Sequence, residues 1–355
     1  REFARPGETL TVPYDPALRR TLRGLLDRAP VLALDDPLLV DAERALTDRH
    51  AEAVLGLLAQ AGLRPADIAA LGFHGQTILH RPEERRTWQI GDAARLADAT
   101  GIAVVHDFRS ADIAAGGQGA PLVPLWHAAL SEGLPRPLAV LNLGGVANLT
   151  WIGAGEEILA CDTGPGNGPL DDWIALRTGE PFDRDGRIAA SGRVDPAVLA
   201  RLVVHPFLDR PPPKSLDRLD FAEALAAAGL GGLSTADGAA TLAAFTAASV
   251  AAVLRHLPAP PRLWIVTGGG RRNGAMLSAL RARLGAVVEP AEAFGWDGDA
   301  LEAQAFAHLA ARSLAGLPLS LPGTTGVPRP MPGGRLVRPG GRGGAAAANA
   351  GRRRV

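Results

Sequence analysis

Residue types capable of chemistry gather at a few glycine-rich turns. In Asp162-Thr-Gly-Pro-Gly-Asn167 a carboxylate stands beside backbone that can wrap an anion, between an apolar run at 158–161 and a helix-like stretch reaching Trp173. Glycine admits positive φ and close approach, and the N–H groups at a helix start attract negative charge. The acid is placed to take a proton, and Gly164, Gly166 and Asn167 to surround phosphate oxygens. Two further turns follow apolar runs: 138–142 leads into Leu143-Gly144-Gly145, and 263–267 into Gly268-Gly269-Gly270. Together they point to a phosphate-binding cleft. Each also has a plain reading: Asp162 as a helix cap, Gly144-Gly145 as a hairpin turn that needs positive φ, and the triple glycine as a strand-to-helix connection. Three successive glycines exceed what a connection requires, which favours a ligand.

In Phe73-His74-Gly75-Gln76-Thr77 the polar groups emerge at the end of an apolar strand, where open α/β sheets place ligands, although a buried and satisfied histidine reads the same way. Asp107-Phe-Arg109-Ser-Ala-Asp112 sets an arginine between two acids after another apolar strand, either to orient a sugar or carboxylate or to form a local ion-pair network. Cys161 precedes the acid and therefore points to the opposite side of its strand, into the core.

Several chemistries are excluded. Lys214, the only lysine, follows three prolines, so no phosphate loop of the Gly-x4-Gly-Lys type exists; the scarcity of lysine reads as a coding bias. Gly268-x-Gly270 is followed by Asn273 where a dinucleotide fingerprint needs glycine. Neither His-Glu-x-x-His nor Gly-x-Ser-x-Gly occurs. The net charge is zero, and basic residues cluster only at 352–354, which argues against nucleic acid. One cysteine rules out internal disulfides and fits a reducing cytoplasm. With no uncharged apolar run of about 18 residues, no membrane segment is expected.

The 355 residues exceed one typical core. Apolar spacing predicts helices at 16–26 and 37–58, strands at 68–73, 87–90 and 102–108 around a helix at 92–100, and a helix at 122–130. The second half repeats this grammar: strands at 138–143, 147–152 and 157–161, helices to about 256, a strand at 262–267, and helices at 272–284 and 300–314. The expected class is α/β. The expected domains are 1–135 and 136–336, followed by a disordered Gly/Ala/Arg tail at 337–355.

Taken together, Gly72-Phe-His-Gly-Gln-Thr77, Asp107-Phe-Arg109, Gly116-Gly-Gln-Gly-Ala-Pro-Leu-Val-Pro124, Asn142-Leu-Gly-Gly-Val-Ala-Asn148, the Asp162 turn and Thr267-Gly-Gly-Gly270 resemble the anhydro-N-acetylmuramic acid kinases, over about 18–336. The resemblance implies the two-domain sugar kinase, Hsp70 and actin-like (ribonuclease H-like) fold, with ATP in an interdomain cleft. It implies conversion of 1,6-anhydro-N-acetylmuramic acid, ATP and water to N-acetylmuramic acid 6-phosphate and ADP, with ring opening, during cytoplasmic recycling of peptidoglycan. By motif position Asp162 is the catalytic base, taken to be ionised at an ordinary carboxylate pKa. Asn142, Gly144, Gly145 and Asn148 form a phosphate hairpin, and Gly268, Gly269, Gly270 and Asn273 the adenosine loop. His74, Gln76, Arg109, Asp112 and Glu302 face the sugar, although Glu302 would equally complement its helix dipole. ATP and Mg²⁺ are the implied cofactors, with Mg²⁺ held mainly by the nucleotide and by no protein ligand set. A homodimer is the implied assembly.

The family's opening hairpin, with Gly-Thr-Ser-x-Asp-Gly, has no counterpart in residues 1–14, which implies lost contacts to the β- and γ-phosphates and exposed strand edges. A fragmentary gene model explains this better than evolved loss, the full-length protein being the kinase. Two alternatives stay open: a kinase of this fold for another sugar, and a non-catalytic muropeptide-binding protein.

Overall fold

The computed structural model describes residues 5–216 and 220–341. In chain order the first stretch comprises α1 (Pro16–Arg28), α2 (Pro37–Ala61), β1 (Leu71–Gly72), β2 (Gln76–Arg81), β3 (Arg86–Ile90), α3 (Ala93–Thr100), β4 (Val104–His106), α4 (Ser110–Ala114) and α5 (Pro124–Leu130). Asp15, Asp36 and Asp92 cap α1, α2 and α3 through their carboxylates, and Gly62 ends α2 in the left-handed conformation. Then come β5 (Leu138–Leu143), β6 (Val146–Ile152), β7 (Ile158–Pro165), α6 (Gly168–Thr178), α7 (Arg187–Ser191), α8 (Pro196–Leu202), α9 (Ala222–Ala227), α10 (Thr235–Ala252), β8 (Leu263–Thr267), α11 (Gly274–Leu284) and β9 (Val287–Pro290). The chain ends with α12 (Leu301–Leu314), α13 (Pro322–Thr325) and β10 (Arg335–Val337).

The chain forms two compact units. One runs to Trp126 and takes in the chain from Glu302 onward; the other is His127–Leu301. The sequence had placed the division near 135 and kept 302–336 in the second half. The break instead falls inside α5, because neighbouring residues serve different cores. Trp126 stacks on His308 of α12 with ring centroids 5.2 Å apart, whereas His127 Nδ1 is 2.9 Å from the Thr150 hydroxyl on β6.

In the first unit β4 lies between β1, parallel to it, and β10, antiparallel to it, and β2 and β3 form a separate hairpin. β1 is shorter than the expected strand at 68–73, pairing with β4 only at Leu71 and Gly72. The expected disordered tail begins at Val337, the last residue of β10, which pairs with Val104 of β4, and beyond it the Gly340 N–H donates to Asp98 Oδ1 at 2.8 Å. The remaining tail, 342–355, lies outside the described residues.

In the second unit the strand order is β7-β6-β5-β8-β9, with β5, β7, β8 and β9 running one way and β6 the other. Val266, Leu141, Leu149 and Cys161 align across four strands and belong to the core that includes α10. Ser234 caps α10, which is apolar all round and therefore central. Thr235–His256 is long and apolar enough to span a membrane, but it is mostly buried as this core helix.

Candidate active site

The three glycine turns of the second unit leave the carboxyl ends of β5, β7 and β8, which lie on one edge of the sheet. They meet there. The N–H groups of Gly166 and Gly168 donate to the Gly145 carbonyl at 3.0 and 3.2 Å, and that of Asn167 to the Gly144 carbonyl at 2.6 Å. Asn167 Nδ2 donates to the Leu143 carbonyl at 2.9 Å. A Cβ on Gly166 would overlap the Gly144 carbonyl, and one on Gly268, whose φ is +71°, would overlap the Asn142 side chain. Gly270 is similarly closed in by Leu143 and Asn167, and Gly164, at φ +150°, by Ser249.

Gly145 differs. It takes no positive φ, nor does Gly144, contrary to the hairpin expectation, and a Cβ on Gly145 would meet nothing within 4 Å. The fold does not require glycine at 145. Gly269 also lacks positive φ, with only Asn167 Nδ2 close to where a Cβ would be.

One register level behind the turns, Thr267, Asn142, Asn148 and Asp162 align across β8, β5, β6 and β7, on the face opposite Cys161. Asp162 is thus inside β7, not in a loop after it. A bulge between Ala147/Gly164 and Asn148/Asp162 gives β7 its extra residue, Thr163, whose hydroxyl donates to the Ala147 carbonyl at 3.2 Å. Asp162 caps no helix: its Oδ2 accepts from the Leu216 N–H at 2.7 Å. Burial pushes its carboxyl up to about 6, against the pull of that N–H and of the Lys214 charge. The sequence had assumed an ordinary value. Burial pushes the Cys161 thiol up to about 12, which fits a core role.

Asn273 is buried, and its Oδ1 accepts from the Met276 N–H at 3.0 Å, capping α11. Sequence reasoning missed Arg271, buried behind the triple glycine. Its Nε is 2.7 Å from Glu292, its Nη2 3.0 Å from Asp299, and its Nη1 donates to the Gly268 carbonyl at 2.9 Å. A conserved spacing was not needed to find it: an arginine directly after Gly-Gly-Gly was the available signal.

In the first unit, Arg109 Nε donates to His74 Nε2 at 2.9 Å and its Nη1 to the Gly119 carbonyl at 2.6 Å. His74 Nδ1 is 3.0 Å from the Gly75 carbonyl, so the neutral tautomer with hydrogen on Nδ1 satisfies both contacts. Burial and the Arg109 charge push His74 down to about 3. Its ring stacks on Phe306 at 4.4 Å, one turn beyond Glu302 on α12. Glu302 is exposed, and with Asp112 it opposes the burial that draws Arg109 down to about 10. Gln76 opens β2 opposite Ile90, rather than trailing a strand end as expected.

Asp112 does not face a sugar. It is buried, with Oδ1 accepting from the Gly119 N–H at 2.6 Å and Oδ2 from the Thr325 hydroxyl at 2.6 Å and the Ser320 hydroxyl. Two oxygens with three donors around them have become a staple joining α4, the Gly116–Gly119 loop and α13.

A sequence model of the anhydro-N-acetylmuramic acid kinases matches residues 4–338. The chain belongs to this family. An anhydro-N-acetylmuramic acid kinase of Acidiphilium cryptum is 62% identical over 94% of this chain and 90% of that one. One of Rhodospirillum rubrum is 56% identical over 92% and 85%. Among solved structures, a ROK family glucokinase from Streptomyces griseus in complex with glucose and AMPPNP is 17% identical, covering 74% of this chain and 87% of that one at a TM-score of 0.37. Membership makes the chain a kinase.

Proposed function

We propose that the protein transfers the γ-phosphate of ATP to 1,6-anhydro-N-acetylmuramic acid while water opens the anhydro ring, giving N-acetylmuramic acid 6-phosphate and ADP in cytoplasmic peptidoglycan recycling. The observation that carries the reading is the meeting of three glycine turns at one sheet edge, beside an acid whose carboxyl is raised to about 6. Asp162 takes a proton from water as it attacks the anomeric carbon, and the released O6 attacks phosphorus. The raised carboxyl suits this work, since a base titrating near the working pH accepts a proton more readily than an ordinary aspartate.

The turns at Gly144–Gly145 and Gly268–Gly270 supply backbone N–H groups for phosphate oxygens, and open space at Gly145 lets a ligand come close. Asn142, Asn148 and Asn167 flank that cradle. In the first unit His74, Gln76, Arg109 and Glu302 orient the sugar; Asp112 positions the loop that Arg109 touches. Among the described residues no group of three or more His, Cys, Asp or Glu side chains is arranged to hold a metal. Mg²⁺ would be carried by the nucleotide, where it offsets phosphate charge.

The test is ADP release with ATP, Mg²⁺ and 1,6-anhydro-N-acetylmuramic acid in ¹⁸O-water, on this chain and on one extended upstream by the family's opening hairpin, with other sugars alongside. The reading expects ADP and product labelled at C1. Turnover without label, or a clear preference for another sugar, overturns it.

A further inference from the structure

A run of three glycines has many backbone conformations of similar energy, so ordering it only when a ligand arrives would weaken binding. Something must hold Gly268–Gly270 beforehand. Arg271 is built to do so. Its side chain is only 3% exposed, and all three arms of its fork are engaged: Nε with Glu292 on the 3₁₀ turn Ala291–Phe294, Nη2 with Asp299, and Nη1 with the Gly268 carbonyl. A Cβ on Gly298 would lie 2.3 Å from Nε, so the backbone before Asp299 closes over the guanidinium as well. Asp299 also pairs with Arg272, which sets two carboxylates against two guanidiniums. A buried and neutralised charge of this kind acts on a ligand through the loop rather than by touching it.

The loop shows how. The Gly268 carbonyl is held twice, by Arg271 Nη1 at 2.9 Å and by the Arg271 N–H at 3.3 Å. The Gly268–Gly269 peptide is trans, so its other end, the Gly269 N–H, faces the opposite way. We propose that Arg271 is a positioning residue for the nucleotide: by pinning the Gly268 carbonyl it fixes the direction of the Gly269 N–H and keeps the triple glycine in its binding conformation before ATP arrives. Arginine suits the task because three acceptors spread around one plane match a guanidinium and not an ammonium.

The inference rests on the triple glycine being part of the nucleotide site, so its test separates the two. Calorimetry would measure the affinity of the chain for an ATP analogue and, separately, for 1,6-anhydro-N-acetylmuramic acid. Arg271→Met is expected to weaken the analogue about tenfold and leave the sugar unchanged, and Arg271→Lys to be as weak as Arg271→Met. Glu292 and Asp299 are each about half exposed, so neither variant strands a buried anion. Gly269→Ala, whose Cβ meets only Asn167 Nδ2 at 3.4 Å, reports on the loop itself and should also weaken the analogue. Wild-type affinity in both Arg271 variants, with Gly269→Ala weak, overturns the proposal and leaves the loop assignment standing. Wild-type affinity in all three takes the nucleotide away from the loop and overturns both. Weak Arg271 variants beside a normal Gly269→Ala, full recovery in Arg271→Lys, or equal loss of sugar and nucleotide each overturn it too, by assigning the effect to another contact, to charge alone or to general damage. If Arg271→Met does not fold, Arg271→Lys, which keeps the buried cation, decides by its weakened or unchanged affinity for the analogue.

Discussion

Asp162 carries two opposing demands. Its folded carboxyl lies above the ordinary aspartate value, so between about pH 4 and pH 6 the folded state binds more protons than the unfolded one. Stability is therefore lost as pH rises through that window, and holding the charge at neutral pH costs roughly 1–3 kcal/mol. Asp162→Asn should raise the melting temperature at pH 7.5, with the gain fading by pH 4.5; a drop instead would show that the Leu216 contact needs the charge. Turnover in the same variant should fall about 10²–10⁴-fold. In the wild type kcat/KM should fall as pH drops below about 6, since a protonated base is idle. Asp171 on α6 is also raised to about 6, by burial and then by Asp172 and Asp183, so it titrates in the same window. Asp171→Asn should leave the acid limb in place; its disappearance there would move the base to α6.

The turns and strands show which glycines serve the fold and which await a ligand. Gly166→Ala drives a Cβ into the hairpin carbonyl and should cost about 1–3 kcal/mol as well as nucleotide binding. Gly145→Ala, in open space, should melt like the wild type yet bind an ATP analogue more weakly by calorimetry; unchanged binding would place the phosphates elsewhere. The sequence made these turns legible because apolar runs ending in glycine mark strand ends in any α/β sheet. β5 was readable to the residue for the same reason, being buried along nearly its whole length. Other features depended on partners remote in sequence. Asp112 looked like a sugar ligand until Ser320 and Thr325 closed on it, and Gln76 looked like a strand end until Ile90 paired with it. Lys214 carried no local signal, because its backbone contact with Asp162 depends on β7 lying beside it.

The division into two units makes its own forecast. Leu309 on α12 is fully buried with Val105, Phe108 and Leu319, whereas Leu141 is fully buried in the sheet that packs on α10. Leu309→Ala and Leu141→Ala should each cost about 2–5 kcal/mol. By hydrogen exchange the first should loosen β1 and β4, and the second β5, β6 and β8. A domain boundary at 135 would have Leu309→Ala loosen the second set instead, so the two variants discriminate between the divisions. The interleaved order also has a temporal side. At about 5–20 residues per second of synthesis, β4 leaves the ribosome roughly 10–45 s before β10 exists to pair with it. The whole of His127–Leu301 emerges in that interval with every strand of its sheet present. The inserted unit is thus free to mature first, while the opening segment of the nascent chain waits with one side of β4 uncovered until the last strand is made.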